Sequence, residues 1–312
     1  MKKTAARPRR PGERPPEPNL YITDKCNRTC LFCGARGERR LRTRVEMRAN
    51  LGRGFESIIM EGGEPLLDPG LAGWARLAKE KGVKDISVLT NGTLLDAARL
   101  AELRAAGVDH FHFNFPSHLE KLFDLLTGTS GQLKALIAAI RSAAASGPRA
   151  AVLICVMNSA NMRTLPDYAD FAASGLGGVF YLALNFVKQS GLVKRRTWLV
   201  PRYGGLEPYL LETLKRAKRR RLPVLVDGVP LCFMKGFEAY SRDAGRILMG
   251  DDTYLREKAP VRACLTCSLN ALCPGPRKDY VRLHGDGEFK PSRRSAARIR
   301  ALIGRGQLSL NS

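Results

Sequence analysis

The chain has 312 residues, 44% of them hydrophobic, which is ample for a core, and no stretch approaches the ~18 unbroken apolar residues of a membrane span. Its formal net charge is +23. That excess admits an acidic partner such as RNA, an acidic peptide or an electron-donating protein, but arginine is spread along the chain and concentrated at both ends, so charge alone selects none of them.

Residues 1–18 are basic and rich in proline, with no apolar segment of the kind a secretory signal carries, and a cytoplasmic protein is expected. In that compartment thiols stay reduced, so eight cysteines read better as metal ligands than as disulfides. A short apolar stretch, residues 19–23, reads as a first strand and runs directly into Cys26-Asn27-Arg28-Thr29-Cys30-Leu31-Phe32-Cys33. A loop this tight can aim three thiolates at one cubic iron-sulfur cluster, leaving the fourth iron open to a small chelating molecule. A zinc site would want a fourth Cys or His nearby, and the first histidine is His110; buried structural thiols are the other reading.

Residues 55–60 read as a buried strand ended by Gly62-Gly63, 71–81 as a helix, 83–89 as a strand closed by Asn91-Gly92, and 94–106 as a helix. The alternation continues with strand 108–115, helix 132–146, strand 150–157, helix 165–174 and strand 179–186, making six strand-helix repeats, before helix 208–221 and a short strand at 223–226. Such alternation implies parallel strands joined by right-handed crossovers, either as an incomplete barrel or as an open doubly wound sheet. Ligands collect at the carboxyl ends of the strands in both. The cysteine loop, the diglycine and Thr90-Asn91-Gly92 all fall there.

A cysteine triplet of the form CxxxCxxC after a first strand, with aromatic Phe32 before the last cysteine, resembles the signature of the radical S-adenosylmethionine (radical SAM) enzymes. The resemblance implies a partial (β/α)6 TIM-like barrel over residues 19–227. It also implies a [4Fe-4S] cluster on Cys26, Cys30 and Cys33 whose open iron holds S-adenosylmethionine (SAM). The expected activity is reductive cleavage of SAM to a 5'-deoxyadenosyl radical that abstracts hydrogen from a substrate, with oxygen sensitivity and an electron donor such as flavodoxin or ferredoxin. Glu61-Gly62-Gly63-Glu64-Pro65 matches the family's GGEP-like motif, so Gly62, Gly63, Glu64 and Pro65 inherit contact with the methionine amino group. Thr90, Asn91, Asn114, Ser117 and Asn158 are further cofactor-binding candidates at strand ends, with Asn161 beside the last of them. His112 reads as a packed side chain and His118 as the better acid-base candidate. Cys155, inside an apolar strand, reads as a buried thiol.

Late in the chain stand Cys232, Cys264, Cys267 and Cys273, and the x2 and x5 spacing of the last three resembles the Twitch and SPASM extensions of radical SAM enzymes. A full SPASM pattern would have a cysteine where Arg277 stands, so the four thiols imply one auxiliary [4Fe-4S] cluster, with zinc as the runner-up. Residues 228–291 are expected to form that small cysteine-rich extension, too loop-rich to carry much core without metal, and 292–312 a basic tail. A peptide or small metabolite is the expected substrate. The charge leaves two alternatives, an RNA-modifying radical SAM enzyme and a basic metal-cluster protein that binds nucleic acid without radical chemistry.

Overall fold

The computed structural model describes residues 19–37, 44–251 and 255–311, and the basic start of the chain, 1–18, lies outside them. Seven strands form one sheet in chain order: β1 (Asn19–Thr23), β2 (Ser57–Gly62), β3 (Asp85–Thr90), β4 (His110–Asn114), β5 (Ala151–Met157), β6 (Tyr181–Phe186) and β7 (Val224–Asp227). Every neighbouring pair is parallel, and β1 is not paired with β7, so the sheet is an incomplete barrel. The short segment that closes the repeats in sequence is thus a seventh strand. Parallel neighbours require crossovers, and these carry α1 (Arg44–Leu51), α2 (Leu71–Glu80), α3 (Ala97–Ala105), α4 (Glu120–Thr127), α5 (Leu133–Ala145), α6 (Leu165–Ser174) and α7 (Tyr203–Arg219).

Because side chains alternate along a strand, β4 presents Phe111 and Phe113 to the main core and His110, His112 and Asn114 to the opposite face. Burial there pushes His112 down to about 3, with Arg242 and His110 adding to the effect, so it is a neutral packed ring. The densest basic run lies on α7 and is partly neutralised at home. Arg216 pairs with Asp167 at 2.7 Å and Asp170 at 3.0 Å, and Arg220 with Asp170 at 2.9 Å, fastening α7 to α6.

At the amino end of β4, His110 Nδ1 lies 2.6 Å from the Arg149 carbonyl and Nε2 lies 2.9 Å from Asp85 Oδ2. Both partners accept, so both are satisfied only when the imidazole carries two protons. Burial alone would lower the His110 pKa, but Asp85 and the Arg149 carbonyl outweigh it and raise it above 6.5, while the His110 hydrogen bond lowers Asp85 below 3.8. The histidine's contribution is complete below its unfolded pKa and fades as pH rises through the raised folded value. The aspartate's is complete above its unfolded pKa and fades toward acid. Asp85→Asn should therefore cost about 1 kcal/mol near pH 6, limited by the aspartate's partial exposure, and clearly less near pH 8.5 in urea titrations.

The region after β7 is more helical and better packed than the loop-rich extension and basic tail expected from sequence. It holds α8 (Arg242–Met249), α9 (Lys278–His284) and α10 (Ala296–Asn311), with single-turn helices between. Ile299 and Ile303, one turn apart on α10, are buried in the main core. Tyr280 of α9 stacks on Tyr203 at 4.1 Å and meets Phe186 and Phe289, so the late segment shares one aromatic core with the barrel. Ionic groups add a second tie. Lys258, whose side chain is 1% exposed, donates to Asp243 and lies 3.4 Å from Asp227 at the end of β7, which Arg246 also meets at 3.0 Å. Burial would raise Asp227, but Lys258 and Arg246 outweigh it and hold the carboxyl well below the usual range. Arg277, standing where a further cysteine would complete the longer pattern, pairs with Asp279 and Glu257, each at 2.8 Å.

Candidate functional site

The loop that follows β1 is gripped from several sides at the carboxyl rim of the sheet. Gly63 N donates to the Thr23 carbonyl at 2.6 Å and Glu64 N to the Lys25 carbonyl at 2.8 Å. A Cβ on Gly62, whose φ is 147°, would overlap the Thr23 carbonyl oxygen, and one on Gly63 would overlap that of Lys25. The diglycine is therefore demanded by the close approach of the cysteine loop, whatever else its peptide groups do. On the far side, Thr29 N and Leu31 N donate to the carbonyls of Thr127 and Leu126 at the end of α4, at 3.1 and 2.8 Å. From the loop after β6, Leu192 N donates to the Cys33 carbonyl at 3.0 Å, while Arg196 Nη1 reaches the Leu31 carbonyl at 3.1 Å. Phe32 is buried beneath the loop and anchors it to the core.

Glu64 joins three of the sequence motifs. Its fully buried carboxylate accepts from Thr90 Oγ1 at 2.6 Å, from Asn91 N at 2.7 Å and from Leu66 N at 3.1 Å, while Pro65 opens a one-turn helix. Asn91 Nδ2 then donates to Asn27 Oδ1 at 2.6 Å, and Asn27 lies between Cys26 and Cys30. The side chains of Glu64, Thr90 and Asn91 are thus engaged in holding the loop, which makes them positioning groups. Gly63→Ala tests this scaffold: the loop must shift, and thiol accessibility at Cys26 measured with a thiol reagent should rise while the unfolding midpoint falls.

Two further candidates are occupied within their own turns. Ser117 Oγ accepts from Leu119 N at 3.0 Å. Asn158 donates to the Val156 carbonyl and accepts from Ala160 N, at 2.9 and 3.0 Å, and Asn161 Nδ2 binds the Pro116 carbonyl at 3.0 Å. Asn114 behaves differently, because its Oδ1 is buried with no hydrogen-bond partner. Asn185 Oδ1 at the end of β6 is in the same condition, and both are orphaned acceptors on strands that end at the rim. Asn185 escaped the sequence reading, although a lone polar residue in the apolar run of β6 is a usable signal. His118 rests against Phe171 at 5.5 Å, its Nδ1 also without a partner, and burial lowers its pKa. Cys155 is fully buried, its thiol pushed up to about 12.

All eight cysteines are free thiols. Burial pushes Cys30 up to about 12 and raises Cys26, and the thiols at 26, 30 and 33 are near enough to disfavour one another's charge. Thiolates so placed need a cation, and bound iron is the partner that would reverse the penalty. The donor set fits an iron-sulfur cluster on this ground. Among the described residues no three His, Cys, Asp or Glu side chains form a site for a single metal ion, and a four-iron cluster holds its thiolates farther apart than one ion does. The late thiols, Cys232, Cys264, Cys267 and Cys273, line one pocket. Burial and mutual repulsion push Cys232 up to about 12, burial pushes Cys273 up to about 11, and Ser292 N donates to Cys267 Sγ at 3.2 Å.

Residues 20–172 match the model of the radical SAM superfamily. A GTP 3',8-cyclase of Geobacter sulfurreducens is 32% identical over 163 residues, covering 48% of this chain and 49% of that protein. GTP 3',8-cyclase 2 of Pseudomonas aeruginosa is 31% identical over 184 residues, covering 55% and 54%. The chain spans about half the length of the curated relatives it matches. In fold it resembles Streptococcus suis SuiB bound to precursor peptide SuiA, with a TM-score of 0.59, 14% identity and coverage of 88% of this chain and 74% of that one. It also resembles anSMEcpe with bound AdoMet, with a TM-score of 0.60, 13% identity and coverage of 94% and 98%.

Proposed function

We propose that the chain is a radical SAM enzyme, which cleaves SAM reductively and abstracts hydrogen from a small polar metabolite. The observation that carries the reading is the loop of Cys26, Cys30 and Cys33, with burial disfavouring the Cys26 and Cys30 thiolates in the absence of a cation and the backbone fastened by β2, α4 and the segment after β6. When bound and reduced by an external donor, a four-iron cluster would supply the electron for splitting a carbon-sulfur bond of SAM, and so for hydrogen abstraction from the substrate. Cys26, Cys30 and Cys33 would hold that cluster, and the peptide groups of Gly62 and Gly63 would meet the methionine end of SAM. The unpartnered oxygens of Asn114 and Asn185 would accept from hydroxyl or amino groups of SAM or substrate. Cys232, Cys264, Cys267 and Cys273 would hold an auxiliary cluster beside the aromatic core, and a flavodoxin or ferredoxin would serve as electron donor.

A small metabolite is favoured over a peptide because the curated relatives at about 30% identity are named for GTP, whereas the peptide in the SuiB structure belongs to a likeness of fold alone. The charge gives the nucleic-acid alternatives no further support, since part of its densest run is paired within the protein. Reduced, iron-loaded protein supplied with SAM should form 5'-deoxyadenosine faster when nucleotides such as GTP or other small polar metabolites are added. A rate raised only by peptides would refute the small-metabolite reading.

A further inference from the structure

Arg28 lies inside the cysteine loop, and the chemistry above gives it no task. It is 3% exposed. Its Nε donates to Gln132 Oε1 at 3.1 Å and its guanidinium carbon lies 5.0 Å from the Phe123 ring centre, so the head group is held in one place. Both Nη atoms are buried and donate to nothing. Other buried cations in this fold are neutralised: Arg277 by Asp279 and Glu257, Lys258 by Asp243 and Asp227. Burying a charge with free donors is costly unless something anionic completes the site. The groups whose charge Arg28 feels are Cys30, Glu64 and Cys26, and the Glu64 oxygens are already shared among Thr90, Asn91 and Leu66. Thiolates therefore remain as the natural counterpart. Three thiolates on a four-iron core carry net negative charge, and one-electron reduction by an external low-potential donor adds another.

We propose that Arg28 is a positioning residue that sets the reduction potential of the cluster held by Cys26, Cys30 and Cys33, its fixed cation, in no ion pair with a carboxylate among the described residues, favouring the reduced form. This rests on the cluster assignment made above. It does not require that SAM be the molecule bound to the open iron.

The test is a potentiometric titration of the full-length, iron-loaded protein, followed by electron paramagnetic resonance. The relevant cluster is identified as the signal missing in Cys30→Ala. Arg28→Gln and Arg28→Met remove the charge, and Arg28→Lys keeps it. The two neutral variants should become harder to reduce by at least a factor of ten in the one-electron equilibrium, about 59 mV, while Arg28→Lys stays near the parent value. Parent-like potentials in the neutral variants would overturn the proposal. So would an equal shift in all three, which marks a mere structural brace, or iron at that site in Arg28→Lys but in neither folded neutral variant, which marks a role in assembling the cluster. Unchanged potentials with SAM cleavage intact would sink the role of Arg28 alone. The predicted shift in a protein that never cleaves SAM would leave Arg28 standing and refute the proposed reaction.

Discussion

Cys30→Ala is expected to lose the iron held by the amino-terminal loop, about four atoms per chain, and to reduce SAM cleavage to background. The loop itself should survive. It is fastened through the backbone of Thr29, Leu31, Cys33, Lys25 and Thr23, and the bond from Cys33 N to the Cys30 carbonyl at 3.2 Å does not use the side chain. Burial pushes that thiol up to about 12, so it is uncharged near neutral pH in the folded and unfolded chain alike, and the metal-free variant should unfold at nearly the same urea concentration as the metal-free parent. Unchanged stability beside lost iron would locate the effect in the thiolate, and a folded variant that keeps its iron would show that another group holds it.

Lys258→Met should be strongly destabilising, by about 3–5 kcal/mol. The lysine is almost fully buried between Asp243 and Asp227, and removing it leaves two carboxylates together with Arg246 as their ion-pair partner among the described residues and Arg242 and Lys188 acting on Asp227 through charge alone. Asp243 also accepts from Gly228 N at 3.1 Å, directly after β7, so the disturbance reaches the joint between barrel and late segment. Asp243→Leu added to Lys258→Met should recover much of the loss, because a neutral, packed pair avoids the stranded charge. Urea unfolding of the three proteins measures this, and a double variant as unstable as the single one would contradict the ionic explanation.

Much of the architecture was legible because buried parallel strands leave continuous apolar runs, as in β5 and β6, and because turn residues mark their ends. The cysteine loop, the diglycine and the Asn-Gly turn could be placed at one rim for the same reason. What each side chain does there was not legible. Glu64, Thr90, Ser117 and Asn158 stand at strand ends where ligands gather, but each finds its partner within the protein, and sequence carries no record of where a hydrogen bond is made. The helix α4 was missed for a physical reason too. At eight residues it is too short for periodicity to stand out, and only Gly128, in the left-handed conformation at its end, signals it. Yet its carbonyls hold the loop. In the last segment, the charge of the arginines masked the pairing of Ile299 with Ile303, so a packed helix resembled a solvated tail.

The most direct test of the central claim is made on protein purified without oxygen, loaded with iron and sulfide, and reduced in the presence of SAM. About eight irons per chain and the appearance of 5'-deoxyadenosine are predicted. Zinc on Cys26, Cys30 and Cys33, or an iron-loaded and reduced protein that neither binds nor cleaves SAM, would contradict it.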